Sequence, residues 1–205
     1  TSSTFKMFPA RIIFEYVGVM LFLTIFITFA SILFAKKEEV VSHLGKIFLT
    51  IIYIVVPFTL IVQIPFLNAS FNYVNTTILG VFILIWTSDT FAFLVGKNFG
   101  KHKLLERISP NKTIEGFIGG MVFTFLASLV LANQFTSLSQ KQWLVIAGIV
   151  SIFGVLGDLI ESMFKRQAGV KDSSNLIPGH GGFLDRFDSV IFAAPFIFIY
   201  LQLVN

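Results

Sequence analysis

Five carboxylates stand in or beside apolar stretches of this 205-residue chain. Asp89 lies in IWTSDTFAFLVG, Asp158 and Glu161 in FGVLGDLIES, and Asp185 and Asp188 in FLDRFDS. A carboxylate within a lipid-embedded segment is costly unless it faces a cavity or a partner. Read as helices, Asp158/Glu161 and Asp185/Asp188 are i, i+3 pairs, so each pair shares one face. Any one of them could pair with a nearby Lys or Arg to orient a helix end; five together point to a common pocket. Cations and glycines are interleaved nearby. GKNFGKHKLLERISPNKTIEGFIGG carries Gly96, Gly100 and a run of Lys and Arg, a composition suited to a backbone-plus-Lys phosphate cradle. In that segment Ser109 or Asn111 is expected to cap a helix starting near Thr113, itself an anion site. SMFKRQAGVKDSSNLIPGHGGFLDRFD adds Lys165, Arg166 and Lys171, with tight turns forced by Pro178, Gly179, Gly181 and Gly182 around His180. Carboxylates facing cations suit Mg2+ bridging a polyphosphate. His180 is assigned to a phosphate or base, because hard oxygen ligands suit phosphate-bound Mg2+ better than imidazole. Glu15 has Arg11 at i−4 and reads as half of a structural pair.

The elements that must position these groups are membrane helices. Hydrophobic residues make up 55% and charged residues only 13%, about half the charge a soluble surface needs. That excludes a soluble enzyme and a nucleic-acid-binding tail. The absence of Cys excludes a disulfide framework, a thiolate zinc site and a cysteine nucleophile. About 20 apolar residues cross a bilayer as a helix. Six stretches qualify or nearly so: Ile12 to Phe34, Ile47 to Leu67, Thr77 to Val95, Ile114 to Ala132, Trp143 to Phe164 and Ser189 to Val204. The fourth and sixth are expected to be short. The opening segment lacks the small-residue cleavage site of a signal peptide. The loops after spans one, three and five hold twelve of the fifteen Lys and Arg. Cytoplasmic loops collect these cations, so the motif-bearing face is expected to be cytoplasmic and both ends of this chain outside. The fold expected is an all-α integral membrane protein: one membrane domain, 1–205, of about six transmembrane helices with cytoplasmic loops forming the site.

The fifth-loop residues carry a resemblance. Ser162, Lys165-Arg166 and Lys171-Asp172 are followed, after five variable positions, by Pro178, His180-Gly181-Gly182, Asp185-Arg186 and Asp188. This resembles the signature of phosphatidate cytidylyltransferases, the CDP-diacylglycerol synthases, in every fixed residue. The segments from Asp89 to Lys101 and from Ser109 to Gly116 are similar to the same family, and the likeness covers about residues 80–200. The resemblance implies a nucleotidyltransferase of phospholipid biosynthesis that joins CTP to phosphatidic acid, releasing pyrophosphate and requiring Mg2+. By similarity Asp158, Asp185 and Asp188 would hold the metal, with room for a second cation such as K+. Substrate contacts would come from Asp89, Ser109, Lys112, Glu115, His180, Gly181 and Gly182. Family members usually carry further N-terminal spans, so an N-terminally shortened member is expected. A bacterial inner membrane is the expected location, and a homodimer is compatible with it.

The lipid phosphate, with a second pKa of about 6 as in phosphoserine, is largely dianionic at neutral pH and needs no general base. The barrier is the approach of two anions, so catalysis should consist of charge neutralisation and in-line positioning. Lys165, Arg166, Lys171 and Arg186 are assigned to lipid phosphate and departing pyrophosphate, and Lys112 to triphosphate or cytosine. Glu161 and Asp172 are supporting partners or spare ligands. Gly116 and Gly120 form a small-xxx-small pair able to bring two helices together. The alternatives are CTP-dependent transfer or kinase chemistry on another membrane lipid, or, in a different class, an ion or solute transporter using the carboxylates.

Overall fold

The computed structural model describes residues 10–32, 40–67, 74–174 and 182–204. His180 and Gly181, with Pro178 and Gly179, lie outside these residues, as do Lys6, Lys36 and Lys37, and the side chains of Arg11 and Glu15. Six helices follow in order. They are α1 (Ala10–Ile32), α2 (Val40–Phe66), α3 (Asn75–Phe99), α4 (Ile114–Gln134), α5 (Gln140–Gln167) and α6 (Leu184–Val204). Between α3 and α4 stands an antiparallel hairpin, β1 (Lys103–Leu105) and β2 (Ser109–Thr113). The bundle is all-α apart from that hairpin.

Five helices, α2 to α6, are long and apolar enough to cross a membrane, and α1 carries the shorter apolar run Gly18–Ala30. The spans expected to be short are not: α4 and α6 each run 21 residues. In α6 the extension comes from polar Leu184–Asp188, which hydropathy alone excludes and helix geometry includes. Cations placed in loops likewise ride on element ends. Lys46 lies in α2, Lys97 in the last turn of α3, Lys165 and Arg166 in the last turn of α5, and Arg186 in the first of α6.

Two helices widen near the site. Pro57 has no N–H to give the Tyr53 carbonyl, and its ring crowds that oxygen. The second helix accordingly makes a π turn over Ile51–Val55, which carries Tyr53. A second π turn, Val150–Gly154, precedes the segment with Asp158. There Ser151 Oγ donates to the Ala147 carbonyl, a bond back along the helix that bends it (2.8 Å).

Lipid tails give helices no hydrophobic reason to associate, so packing rests on close approach of small residues. The core centres on Trp143, Leu84, Ile146, Ile191 and Ile197, all fully buried. Gly80 of α3 leaves room for the Trp143 indole. The expected Gly116/Gly120 approach is realised: a Cβ at Gly116 would lie 2.6 Å from the Ala92 carbonyl, and one at Gly120 2.8 Å from that of Ser88. These contacts flank Asp89 on α3. On the other side, a Cβ at Gly157 would lie 2.5 Å from the Asp188 carbonyl. The three motif segments are thus drawn together by glycine contacts on two helix pairs.

Candidate active site

One cavity of about 700 Å³ opens where α3, the hairpin, α4, α5 and α6 meet. Asp89, Ser109, Lys112, Asp158, Asp185 and Asp188 all line it. Ala92, Phe93, Phe117 and Val155 supply an apolar wall, and Lys97 and Asn111 further polar groups. A helix start near Thr113 is correct but its cap is not Ser109 or Asn111, because both lie in β2. Thr113, in extended conformation, is the cap, and its hydroxyl accepts from the Gly116 N–H at 3.1 Å.

The carboxylates divide into two sets. Asp158, Glu161 and Asp188 each offer an oxygen, all within 4.8 Å of one another. Glu161 is only 1% exposed, and its Oε1 has no hydrogen-bond partner among the described residues. A buried carboxylate oxygen without a donor is expensive, and the oxygens of this trio have the donor chemistry that could hold a hard cation. Asp158 also accepts from Ser162 Oγ at 3.3 Å and is ion-paired with Lys112 from across the cavity. Asp188 Oδ1 accepts from the N–H of the next residue, Ser189, at 2.6 Å.

Asp185 is differently placed, although it lines the same cavity. Its Oδ1 receives Lys165 Nζ at 2.7 Å. Its Oδ2 accepts from the Ser173 N–H (3.0 Å), Ser173 Oγ (2.8 Å) and the Gly182 N–H (2.7 Å). Four donors wrap this carboxylate, and they come from both ends of the fifth loop. Lys165 lies between Glu161 and Asp185, 2.7 Å from each, and so ties the two sets together.

Other expected residues fall outside the cavity lining. Glu115 accepts from the N–H groups of Lys101 and His102 at 3.0 to 3.2 Å, and its Oε1 lies 2.6 Å from His102 Nδ1. Its place is the base of the hairpin, which it fastens to the first turn of α4. Arg166, Lys171 and Arg186 are exposed and do not line the cavity. Gly182 is buried and acts through its N–H on Asp185.

Tyr53 was not foreseen. Its hydroxyl is buried without a hydrogen-bond partner, its ring meets Phe164 edge-on at 5.5 Å, and Glu161, Asp188 and Asp158 lie within electrostatic reach. A lone Tyr in IFLTIIYIVVPF carries no motif; only its polarity inside an apolar span is a signal.

The chain is similar to proteins described as phosphatidate cytidylyltransferases. Those of Staphylococcus epidermidis and Staphylococcus aureus are 51% identical over 126 residues, covering 60% of this chain and 48% of theirs. That of Bacillus subtilis is 43% identical over 175 residues, covering 83% of this chain and 62% of its own. The chain thus spans about half the length of the first of these relatives and somewhat more of the last. The sequence profile of the cytidylyltransferase family matches residues 2–204. With all but the terminal residues of the chain inside that match, and three motif segments of its sequence meeting in one cavity, this protein belongs to the cytidylyltransferase family.

Proposed function

We propose that this chain carries the nucleotidyl-transfer site of a phosphatidate cytidylyltransferase, converting CTP and phosphatidic acid to CDP-diacylglycerol and pyrophosphate. The observation that carries this reading is the single cavity lined by Asp89, by Ser109 and Lys112, and by Asp158, Asp185 and Asp188. These residues come from segments far apart in the chain.

In the reaction a lipid-phosphate oxygen attacks the α-phosphorus of CTP. The bond from that phosphorus to the bridging oxygen breaks, and its electron pair leaves with pyrophosphate. A dianionic lipid phosphate needs no proton removed, so the protein's work is to bring anions together. Asp158, Glu161 and Asp188 would hold Mg2+, with K+ as a second cation in the same acidic pocket. Bound there, the metal supplies charge neutralisation on the phosphates. Asp185 would order the fifth loop and fix Lys165, whose ammonium it shares with Glu161. Lys97 and Lys112 provide positive charge for the triphosphate, and Ser109 and Asn111 polar contacts. The apolar wall of Ala92, Phe93, Phe117 and Val155 would receive the lipid's glycerol and upper acyl carbons. We place this face in the cytoplasm of a bacterial cell, on the loop distribution of Lys and Arg.

The test is direct. Purified chain in detergent receives phosphatidic acid, Mg2+ and labelled CTP, and lipid-soluble label and pyrophosphate are both followed. Equimolar products, absent with Asp188→Asn, support the reading. CTP consumption without lipid product on phosphatidic acid, but with it on an isoprenoid lipid phosphate, would move the substrate assignment. Neither product nor Mg2+-dependent CTP binding would sink it.

A further inference from the structure

The ion pair between Lys112 and Asp158 joins two residues given different tasks, one toward nucleotide and one toward cation. Lys112 comes from β2 and Asp158 from α5, so the pair bridges the cavity and is not a local helix contact. Both side chains are partly exposed to the cavity, 26% and 30%. Neither oxygen of Asp158 is idle: Ser162 Oγ donates to Oδ1, and the Lys112 ammonium holds Oδ2. Ser162 can rotate away at the loss of one weak hydrogen bond. An ammonium cannot share a carboxylate oxygen with a divalent ion without close like-charge contact.

The charge around the trio points the same way. With Lys112 on Asp158 and Lys165 on Glu161, only Asp188 among the three has no ammonium partner among the described residues. Lys165 is held by Asp185 as well and has a second anchor. Among the described residues Lys112 is ion-paired with Asp158 alone, and it lines the cavity together with Ser109, Asn111 and Thr113. It is therefore the cation that a divalent ion can displace without breaking the loop.

We propose that Lys112 is an exchangeable counter-ion: a divalent cation entering the Asp158–Glu161–Asp188 site displaces the Lys112 ammonium from Asp158, and the released ammonium is then presented to the nucleotide phosphates. This rests on the reading of that trio as a cation site and of the cavity as a nucleotide site. It deepens that reading by making the cation site and the nucleotide contact compete for one lysine. Without the cation, Lys112 shields the carboxylates from one another and withholds itself from phosphate. With the cation, the repulsion is neutralised by the stronger charge, and the lysine becomes available. Nucleotide binding then depends on the cation through the protein as well as through the metal–nucleotide complex in solution. Positive coupling of two ligands through one shared group is reciprocal by linkage.

The experiment uses the purified whole chain in detergent with Mn2+ as cation probe, titrated without nucleotide and followed by its electron paramagnetic resonance signal. Lys112→Met removes the competing ammonium and should tighten Mn2+ by roughly fivefold or more. Lys112→Arg, which keeps the charge, should stay within about twofold of wild type. CTP binding should weaken in Lys112→Met. An unchanged or weaker Mn2+ affinity in Lys112→Met, while Asp188→Asn loses Mn2+, overturns the exchange and leaves the cation site standing. Asp188→Asn binding Mn2+ as wild type does overturns the site itself and the exchange with it. Should Lys112→Met fail to fold, the wild-type protein still decides. Labelling of Lys112 by an amine-reactive reagent, read by mass spectrometry, should rise when Mn2+ alone is added and fall again with CTP. No rise with Mn2+ bound overturns the proposal.

Discussion

Gly157 and Asp188 meet backbone to side-chain space: a Cβ at position 157 would lie 2.5 Å from the Asp188 carbonyl oxygen and 2.6 Å from the Phe192 Cβ. That approach sets the distance between α5 and α6, and with it the distance between Asp158 and Asp188. Gly157→Ala must push the helices apart. Overpacking of this kind costs about 1–3 kcal/mol, and product formation should fall more than tenfold because both carboxylates of the proposed cation site move. Gly148→Ala, whose Cβ would meet only Phe125 Cζ at 3.7 Å, is the control and should leave thermal midpoint and turnover near wild type.

The two sets of carboxylates make separable predictions. Asp188→Asn should abolish turnover while the protein stays folded in detergent; activity within about threefold of wild type would remove it from the site. Glu161→Gln should weaken Mn2+ binding, since it removes the charge of a buried oxygen that has no other donor. Asp185→Asn should instead loosen the loop held by Ser173 and Gly182, seen as faster proteolysis between residues 170 and 182. If Asp185→Asn matches Glu161→Gln in lost Mn2+ affinity and leaves proteolysis unchanged, Asp185 is a ligand and the division drawn above is wrong.

Tyr53→Phe deletes one oxygen and little else. A buried hydroxyl with no partner destabilises a fold by about 1–3 kcal/mol, so the variant should melt at the same temperature or higher. Turnover at limiting Mg2+ should nonetheless drop severalfold, because the phenol faces the three carboxylates from α2. A rise in stability with unchanged Mg2+ dependence would reduce Tyr53 to a packing residue.

Glu115→Ala should act on the hairpin and not on the cation. It removes hydrogen bonds from Lys101, His102 and the His102 ring, and the hairpin carries Ser109, Asn111 and Lys112. The expected result is a higher KM for CTP, a lower thermal midpoint, and Mn2+ affinity within about twofold of wild type. Steady-state turnover against CTP, thermal melting and isothermal titration with Mn2+ read the three separately.

Periodicity and composition alone determine a good deal of this protein. A chain with 55% hydrophobic and 13% charged residues can only fold as a bundle in lipid, and its apolar stretches mark the helices to within several residues. The i, i+3 spacing of Asp158 and Glu161 places both on one face, and Gly116 and Gly120 pack as their spacing suggests. The same spacing fails to separate Asp185 from Asp188. They lie three residues apart at the start of α6, yet loop N–H groups surround Asp185, and α5 packs beside Asp188. Donors contributed by a distant loop are not encoded in the residues they bind. The hairpin is hidden for a related reason: SPNKT has no strand periodicity, and its pairing with Lys103–Leu105 is held by Glu115 fourteen residues after Lys101. The surroundings of Tyr53 and the Lys112–Asp158 pair depend wholly on how elements distant in the chain pack. Sequence spacing decides which side chains share an element; only the packing of elements decides which charges meet, because electrostatic partners are chosen by distance in space.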